Sequence, residues 1–147
     1  MASTLSNLLY HIVFSTKGRE PLIAANLAPD LHRYLAGIIQ NGAGIPLEIG
    51  GMADHVHLFF KMRADVSLAD SVRILKANSS RWAAERIPNF AWQTGYGAFT
   101  VSASQVESVR SYIRNQAEHH RIVSFQDEFR AFLARHGIEY DERYVWG

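Results

Sequence analysis

The chain has 147 residues, a formal net charge of +1 and 48% hydrophobic residues, enough to fill the core of one domain spanning 1–147. It has no cysteine, which excludes disulfides, thiolate-held zinc and thiol catalysis. With neither a signal-like N-terminus nor an apolar run of membrane-spanning length, a cytoplasmic protein is expected.

The first element is a strand over Leu5–Ser15. Leu8, Tyr10, Ile12 and Phe14 alternate with Leu9, His11, Val13 and Ser15, and apolar residues dominate both series, as in a central strand covered on both faces. Ala24–Gln40 reads as a helix with Leu27, Leu31, Leu35 and Ile38 on one stripe, ended by Asn41-Gly42. Pro46–Gly51 and His55–Met62 read as two strands joined through Met52-Ala53-Asp54. Ser67 is placed to cap a helix running to about Arg86, with Asp70 three residues on and Leu68, Val72, Leu75, Ser79 and Trp82 inward. Trp92–Ser102 reads as a flexible, glycine-containing entry followed by a fourth strand. Ser104 is expected to cap a helix reaching His119 or His120, and Gln126–Arg135 forms a last helix stopped by Gly137. The order strand, helix, strand, strand, helix, strand predicts an α+β, ferredoxin-like (split βαβ) antiparallel sheet with helices on one face. The C-terminal helices, or a second subunit, then cover the other face.

Three constellations carry chemical interest. His55 and His57 share one face of their strand, while Val56, Leu58 and Phe60 share the other. Alone, that pair fits either a metal grip or two histidines on a half-exposed sheet. Tyr112 and Gln116 share a helical face, which alone also fits a half-buried tyrosine beside a solvated glutamine. The basic set Arg73, Lys76 and Arg81, extended by Lys17 and Arg19, fits a phosphate-contacting surface or a solvated helix face. Twelve of the fifteen basic residues are Arg, the side chain suited to forked phosphate contacts. At a net charge of +1, DNA binding requires such residues gathered on one face. Phe90, Trp92 and Tyr96 offer stacking surfaces or core packing.

Taken together, these features resemble a known family. His55-Val56-His57 resembles the HUH motif, and Tyr112-Ile113-Arg114-Asn115-Gln116 resembles the Tyr-x-x-x-Gln motif of single-tyrosine HUH transposases of small bacterial and archaeal insertion sequences and their REP-associated relatives. Gly95-Tyr96-Gly97-Ala98-Phe99, His119-His120 and the tail Ile138–Val145 resemble the same family, in the same order. The resemblance implies a DNA transposase that cleaves and rejoins single-stranded DNA through a 5′-phosphotyrosine on Tyr112. It implies Mg²⁺ or Mn²⁺ held by His55, His57 and Gln116, DNA hairpins at element ends as partners, and no nucleotide cofactor. It also implies a homodimer in which the tyrosine helix of one subunit can serve the His-Val-His strand of the other. Alternative readings are a domesticated palindrome-processing relative and a non-catalytic single-stranded nucleic-acid-binding module. His119 and His120 are the candidate general bases.

The implied chemistry is coherent. A divalent cation on a non-bridging oxygen offsets the phosphodiester's charge, and neutral imidazole and amide ligands leave the cation's charge intact. A phenol, with a reference pKa near 10, is easier to ionise and to expel than a sugar hydroxyl. The ester retains the bond energy for rejoining, in keeping with the absence of a Gly-x-x-x-x-Gly-Lys phosphate loop.

Overall fold

The computed structural model describes residues 3–120 and 123–146. Strand β1 (Leu8–Ser15) begins later than the apolar run that predicts it, because Leu5 stays 93% exposed and the ladder starts at Leu8. Its two faces enter different cores: Ile12 and Phe14 on one side, Leu9 and Val13 on the other. Helix α1 (Ala28–Ile38) starts four residues after the predicted Ala24. The Ala24 carbonyl instead accepts from the Leu27 and Ala28 amides, and Pro29 in the first turn presets the helical φ. A single wide turn, Ile39–Ala43, replaces the predicted last residues of that helix.

Strands β2 (Gly44–Met52) and β3 (His55–Met62) form the hairpin. Helix α2 (Leu68–Ala84) is capped as expected, with Ser67 Oγ accepting from the Asp70 amide at 3.1 Å. Strand β4 (Gly97–Thr100) completes a sheet of order β2-β3-β1-β4 with every neighbouring pair antiparallel. This is the split βαβ, ferredoxin-like arrangement. The entry to β4 is tied down, since the carbonyls of Gln93, Thr94 and Gly95 accept from Lys76 Nζ at 2.6, 3.1 and 2.8 Å.

Helices α1 and α2 cover one sheet face, packing Leu31, Leu35, Val72 and Leu75 against Val56, Leu58 and Phe60. The chain's own C-terminal elements cover the other: α3 (Val106–Arg114), α4 (Gln116–His120) and α5 (Phe125–Arg135). Ser104 does not cap α3. A 3₁₀ turn, Ala103–Gln105, follows Ser102, and Gln105 precedes α3 without a side-chain cap. The predicted continuous helix also breaks at Asn115, which leaves helical geometry at φ −100°, ψ 27°. The break turns Gln116 inward and leaves Ala117 exposed, although regular periodicity places Ala117 with Val109 and Ile113. In α5, Phe125, Phe129, Phe132 and Leu133 are buried, and Gly137 at φ 64° ends the helix. Among the described residues no helix is long and apolar enough to cross a membrane.

One close approach sets the height of α3 above the sheet. A Cβ at Gly50 would lie 2.8 Å from both Cγ2 and the carbonyl oxygen of Ile113. Gly50→Ala is therefore expected to cost about 2 kcal/mol in urea denaturation through overpacking. A loss under about 0.5 kcal/mol, within the range of ordinary surface substitutions, would mean that α3 shifts freely over β2.

Candidate active site

Strand alternation delivers His55 and His57 to the face beneath α3 and α5, and both are fully buried. Each ring is held by its Nδ1. His55 Nδ1 lies 2.7 Å from Asp54 Oδ1, and His57 Nδ1 lies 2.8 Å from Nε2 of His11 on β1. Both Nε2 atoms therefore face the space under the helices; the outer partners fix ring orientation, and the Asp54 carboxylate also fixes the His55 tautomer with Nδ1 protonated. Phe125 stacks on the His55 ring at 4.3 Å between centroids.

Gln116 reaches the same space because of the break at Asn115. Its Oε1 lies 3.0 Å from His55 Nε2 and 3.0 Å from His120 Nε2, and its Nε2 donates to the Tyr112 carbonyl at 3.3 Å. The Tyr112 ring is 5.7 Å from the His57 ring, and its hydroxyl donates to Glu128 Oε2 with His119 Nε2 at 3.4 Å. Tyr112, Gln116 and the two histidines thus meet within one chain.

Glu128 stands at the centre and escaped the sequence reading. It is 4% exposed, with Oε1 3.1 Å from His57 Nε2, and Oε2 3.0 and 3.1 Å from Nε2 of His119 and His120. A signal was present. Glu128 lies three residues after Phe125 and four before Phe132, on the apolar stripe of α5. A carboxylate there is out of place unless it has partners. His11 left a similar mark, as a polar member of the Leu9-His11-Val13 series.

Burial dominates the protonation of the site. It pushes His57 down to about 4, against opposing hydrogen bonding by Glu128, and holds His11 well below its ordinary value, aided by His57. Burial raises the Tyr112 phenol above its usual range, and the Glu128 carboxylate beside it raises it further. For Glu128 burial acts upward but is outweighed by hydrogen bonds from His120 and His57, so the group stays ionised. His120 is raised for the reciprocal reason, its bond to Glu128 outweighing burial. In Asp54 the hydrogen bond from His55 likewise overcomes the upward effect of burial.

A pH prediction follows from His57. Its folded value lies below the unfolded value of 6.5, so the unfolded chain binds a proton that the folded chain refuses. The favourable state is fully present above pH 6.5, and up to about 3 kcal/mol is lost as pH falls towards 4. Melting in the presence of chelator is expected to weaken over that window, and His57→Gln is expected to flatten the slope. A slope unchanged in the variant would assign the loss to other groups.

The donor set fits a divalent cation. His55 commits Nδ1 to Asp54 and Gln116 commits its amide nitrogen to the Tyr112 carbonyl, so an imidazole Nε2 and an amide oxygen face one another at 3.0 Å. Neighbouring ligands of an octahedral ion with bonds of about 2.1 Å sit about 3.0 Å apart. His55, His57, His120 and Glu128 each offer an atom, all within 4.8 Å of one another. Beside Tyr112 a cavity of about 380 Å³ opens between α3 and α5, lined by Gln105, Ser108, His119, Glu128 and Arg135 among others.

The basic residues do not gather around Tyr112. Arg73 and Arg81 are exposed on α2, over the opposite sheet face, beside Asp70 at 3.6 Å and Asn78 at 3.4 Å. Lys76 holds three carbonyls and sits over the Phe14 ring, and burial lowers its ammonium below the ordinary value. Its ammonium supports the entry to β4. Lys17 and Arg19 follow β1 at the His55 end of the sheet, with Arg19 5.6 Å from the Trp146 ring. Phe90 and Trp92 pack with Phe14 in the core, and only Tyr96 of the three proposed stacking residues is exposed.

Comparison with known proteins is consistent with this arrangement. A family model described as "Transposase IS200 like" matches residues 4–116. The 1.90 Å crystal structure of a candidate transposase from Deinococcus radiodurans R1 is similar, with a TM-score of 0.64 and 25% identity over 79% of this chain and 95% of that one. A REP-associated tyrosine transposase bound to a REP hairpin shares the fold, with a TM-score of 0.63 and 12% identity over 84% of this chain and 74% of that one. No curated protein sequence matches.

Proposed function

The chain belongs to the IS200-like transposase family, and on that premise we propose that it cleaves and rejoins single-stranded DNA through a 5′-phosphotyrosine on Tyr112. The observation that carries this reading is the meeting of the Tyr112 hydroxyl and the Nε2 atoms of His55 and His57 around one buried site. His55, His57 and Gln116 are the residues that would hold Mg²⁺ or Mn²⁺. When bound, the ion offsets charge on the phosphodiester's non-bridging oxygens.

The protein's own groups supply the rest. The raised phenol is a poor nucleophile while protonated; Glu128 Oε2 orients the hydroxyl by accepting its hydrogen bond, and His119 Nε2, 3.4 Å from the hydroxyl oxygen, is the base placed to take the proton. The phenolate oxygen forms a bond to phosphorus as the bond to the sugar 3′ oxygen breaks, and the departing oxygen takes a proton from solvent to become a 3′-hydroxyl while the base holds the phenol's proton. In reversal a 3′-hydroxyl attacks, and Tyr112 leaves as the lower-pKa oxygen. Gln116 links Tyr112 to the histidines through its bonds to the Tyr112 carbonyl and to His55. The cavity beside Tyr112 gives a strand an approach to the hydroxyl, with the Arg135 cation at its lining.

By likeness to the hairpin-bound structure, the DNA partner we propose is a single strand folded into a hairpin, and the family resemblance extends the reading to a homodimer. The test is incubation with single-stranded DNA from the gene's flanks and Mn²⁺, followed by a denaturing gel. A covalent protein–DNA band is expected. DNA retained on a native gel without that band would make the chain a binding module.

A further inference from the structure

We propose that Glu128 is a further ligand of the cation site, bonding the ion through Oε1 while Oε2 holds the Tyr112 hydroxyl. The inference rests on reading His55, His57 and Gln116 as ligands, and adds a residue from another helix. The two carboxylate oxygens face different groups. Oε1 lies 3.1 Å from His57 Nε2 and 3.9 Å from His55 Nε2. Oε2 lies 3.0 Å from His119 Nε2 and 3.1 Å from His120 Nε2, and accepts from Tyr112. An ion bonded to both histidines therefore meets Oε1 with little movement of the side chain.

Energetics point the same way. A carboxylate 4% exposed requires compensating charge or hydrogen bonds. Among the described residues, the contacts of Glu128 are three imidazoles, a fourth at longer range, and a phenol. Its position is firm because Phe125, Phe129 and Phe132 of the same helix are buried on either side of it in sequence. Placing a cation between Oε1 and the two Nε2 atoms gives the buried carboxylate a full counter-charge.

The added carboxylate changes the site's character. Two imidazoles, one amide and one carboxylate reduce the net charge of the ion and its ligands to +1. The bridging carboxylate also joins ion and nucleophile, so that occupancy of the metal site and the position of the Tyr112 hydroxyl depend on one side chain.

The test is calorimetric titration of Mn²⁺ into the DNA-free full chain. Glu128→Gln is expected to lose at least about tenfold in Mn²⁺ affinity, the scale on which ligand-supporting groups act. His119→Ala, whose contact is with Oε2, is expected to stay within about threefold. Equal or tighter Mn²⁺ binding by Glu128→Gln would overturn the proposal, making Glu128 a plug that the ion displaces. Should that variant fail to fold, anomalous scattering from Mn²⁺ in wild-type crystals decides: a peak bonded to Glu128 Oε1 supports the assignment, and a peak bonded to the histidines without Glu128, with or without Gln116, or no peak, refutes it. Because no DNA is present, Mn²⁺ held through Glu128 in a protein that forms no DNA adduct would overturn the proposed function and leave this site standing.

Discussion

Tyr112→Phe is expected to lower covalent adduct formation by at least about a thousandfold, the scale on which loss of a nucleophile acts, while native-gel DNA binding stays within about threefold. The substitution removes one oxygen and keeps the ring, which packs against Phe132 and His57 at 5.7 Å in each case. Glu128 loses one donor but keeps His57, His119 and His120 within 3.1 Å. The cost to stability is therefore expected to be about 1 kcal/mol. Parallel loss of adduct, DNA binding and thermal stability would mean that the hydroxyl serves the fold rather than the reaction. An adduct at the wild-type level would move the nucleophile elsewhere, with Tyr96 and Tyr144, both exposed, the next candidates.

Mixing a His57→Ala chain with a Tyr112→Phe chain is expected to restore no cleavage. The family resemblance implies a tyrosine helix able to serve a partner's histidines, and the small residues Ser102-Ala103-Ser104 suit a change of direction. In this chain, however, α3 lies on its own β2 at Gly50, and the Tyr112 hydroxyl reaches Glu128 beside its own His57. In the proposed homodimer each subunit would then carry all of its own site. The Tyr112→Phe chain lacks a nucleophile and the His57→Ala chain lacks an ion ligand, so neither completes the other. Co-expressed, size-tagged heterodimers stay inactive on this account. Recovery of the adduct on the His57→Ala chain alone would reveal exchange of α3 between subunits.

The sheet was legible because its signals are local. Alternation in β1 and β3 follows from the two-residue period, and Ser67 caps α2 through a contact three residues away. The two histidines were legible for the same reason, since their shared face follows from the strand. The centre of the site was less so. The inward turn of Gln116 depends on the break at Asn115, which no glycine or proline announces. Glu128 belongs to the site through contacts 71 residues from His57 and 16 from Tyr112 in sequence. The carbonyl contacts of Lys76 were not legible, because a cation on an amphipathic helix reads as phosphate-facing or solvated, and only the fold brings the carbonyls of Gln93, Thr94 and Gly95 around it.

The most direct measurement is mass spectrometry of the trypsin-digested adduct, formed with Mn²⁺ and single-stranded DNA and trimmed with nuclease. Cleavage after Arg110 and Arg114 isolates Ser111–Arg114, which contains Tyr112 and no other tyrosine. The account predicts a nucleotide on that peptide, linked through its 5′-phosphate to the Tyr112 oxygen, and a free 3′-hydroxyl on the released strand. A nucleotide on a peptide containing Tyr96 or Tyr144, or a 3′-phosphate linkage, would contradict it.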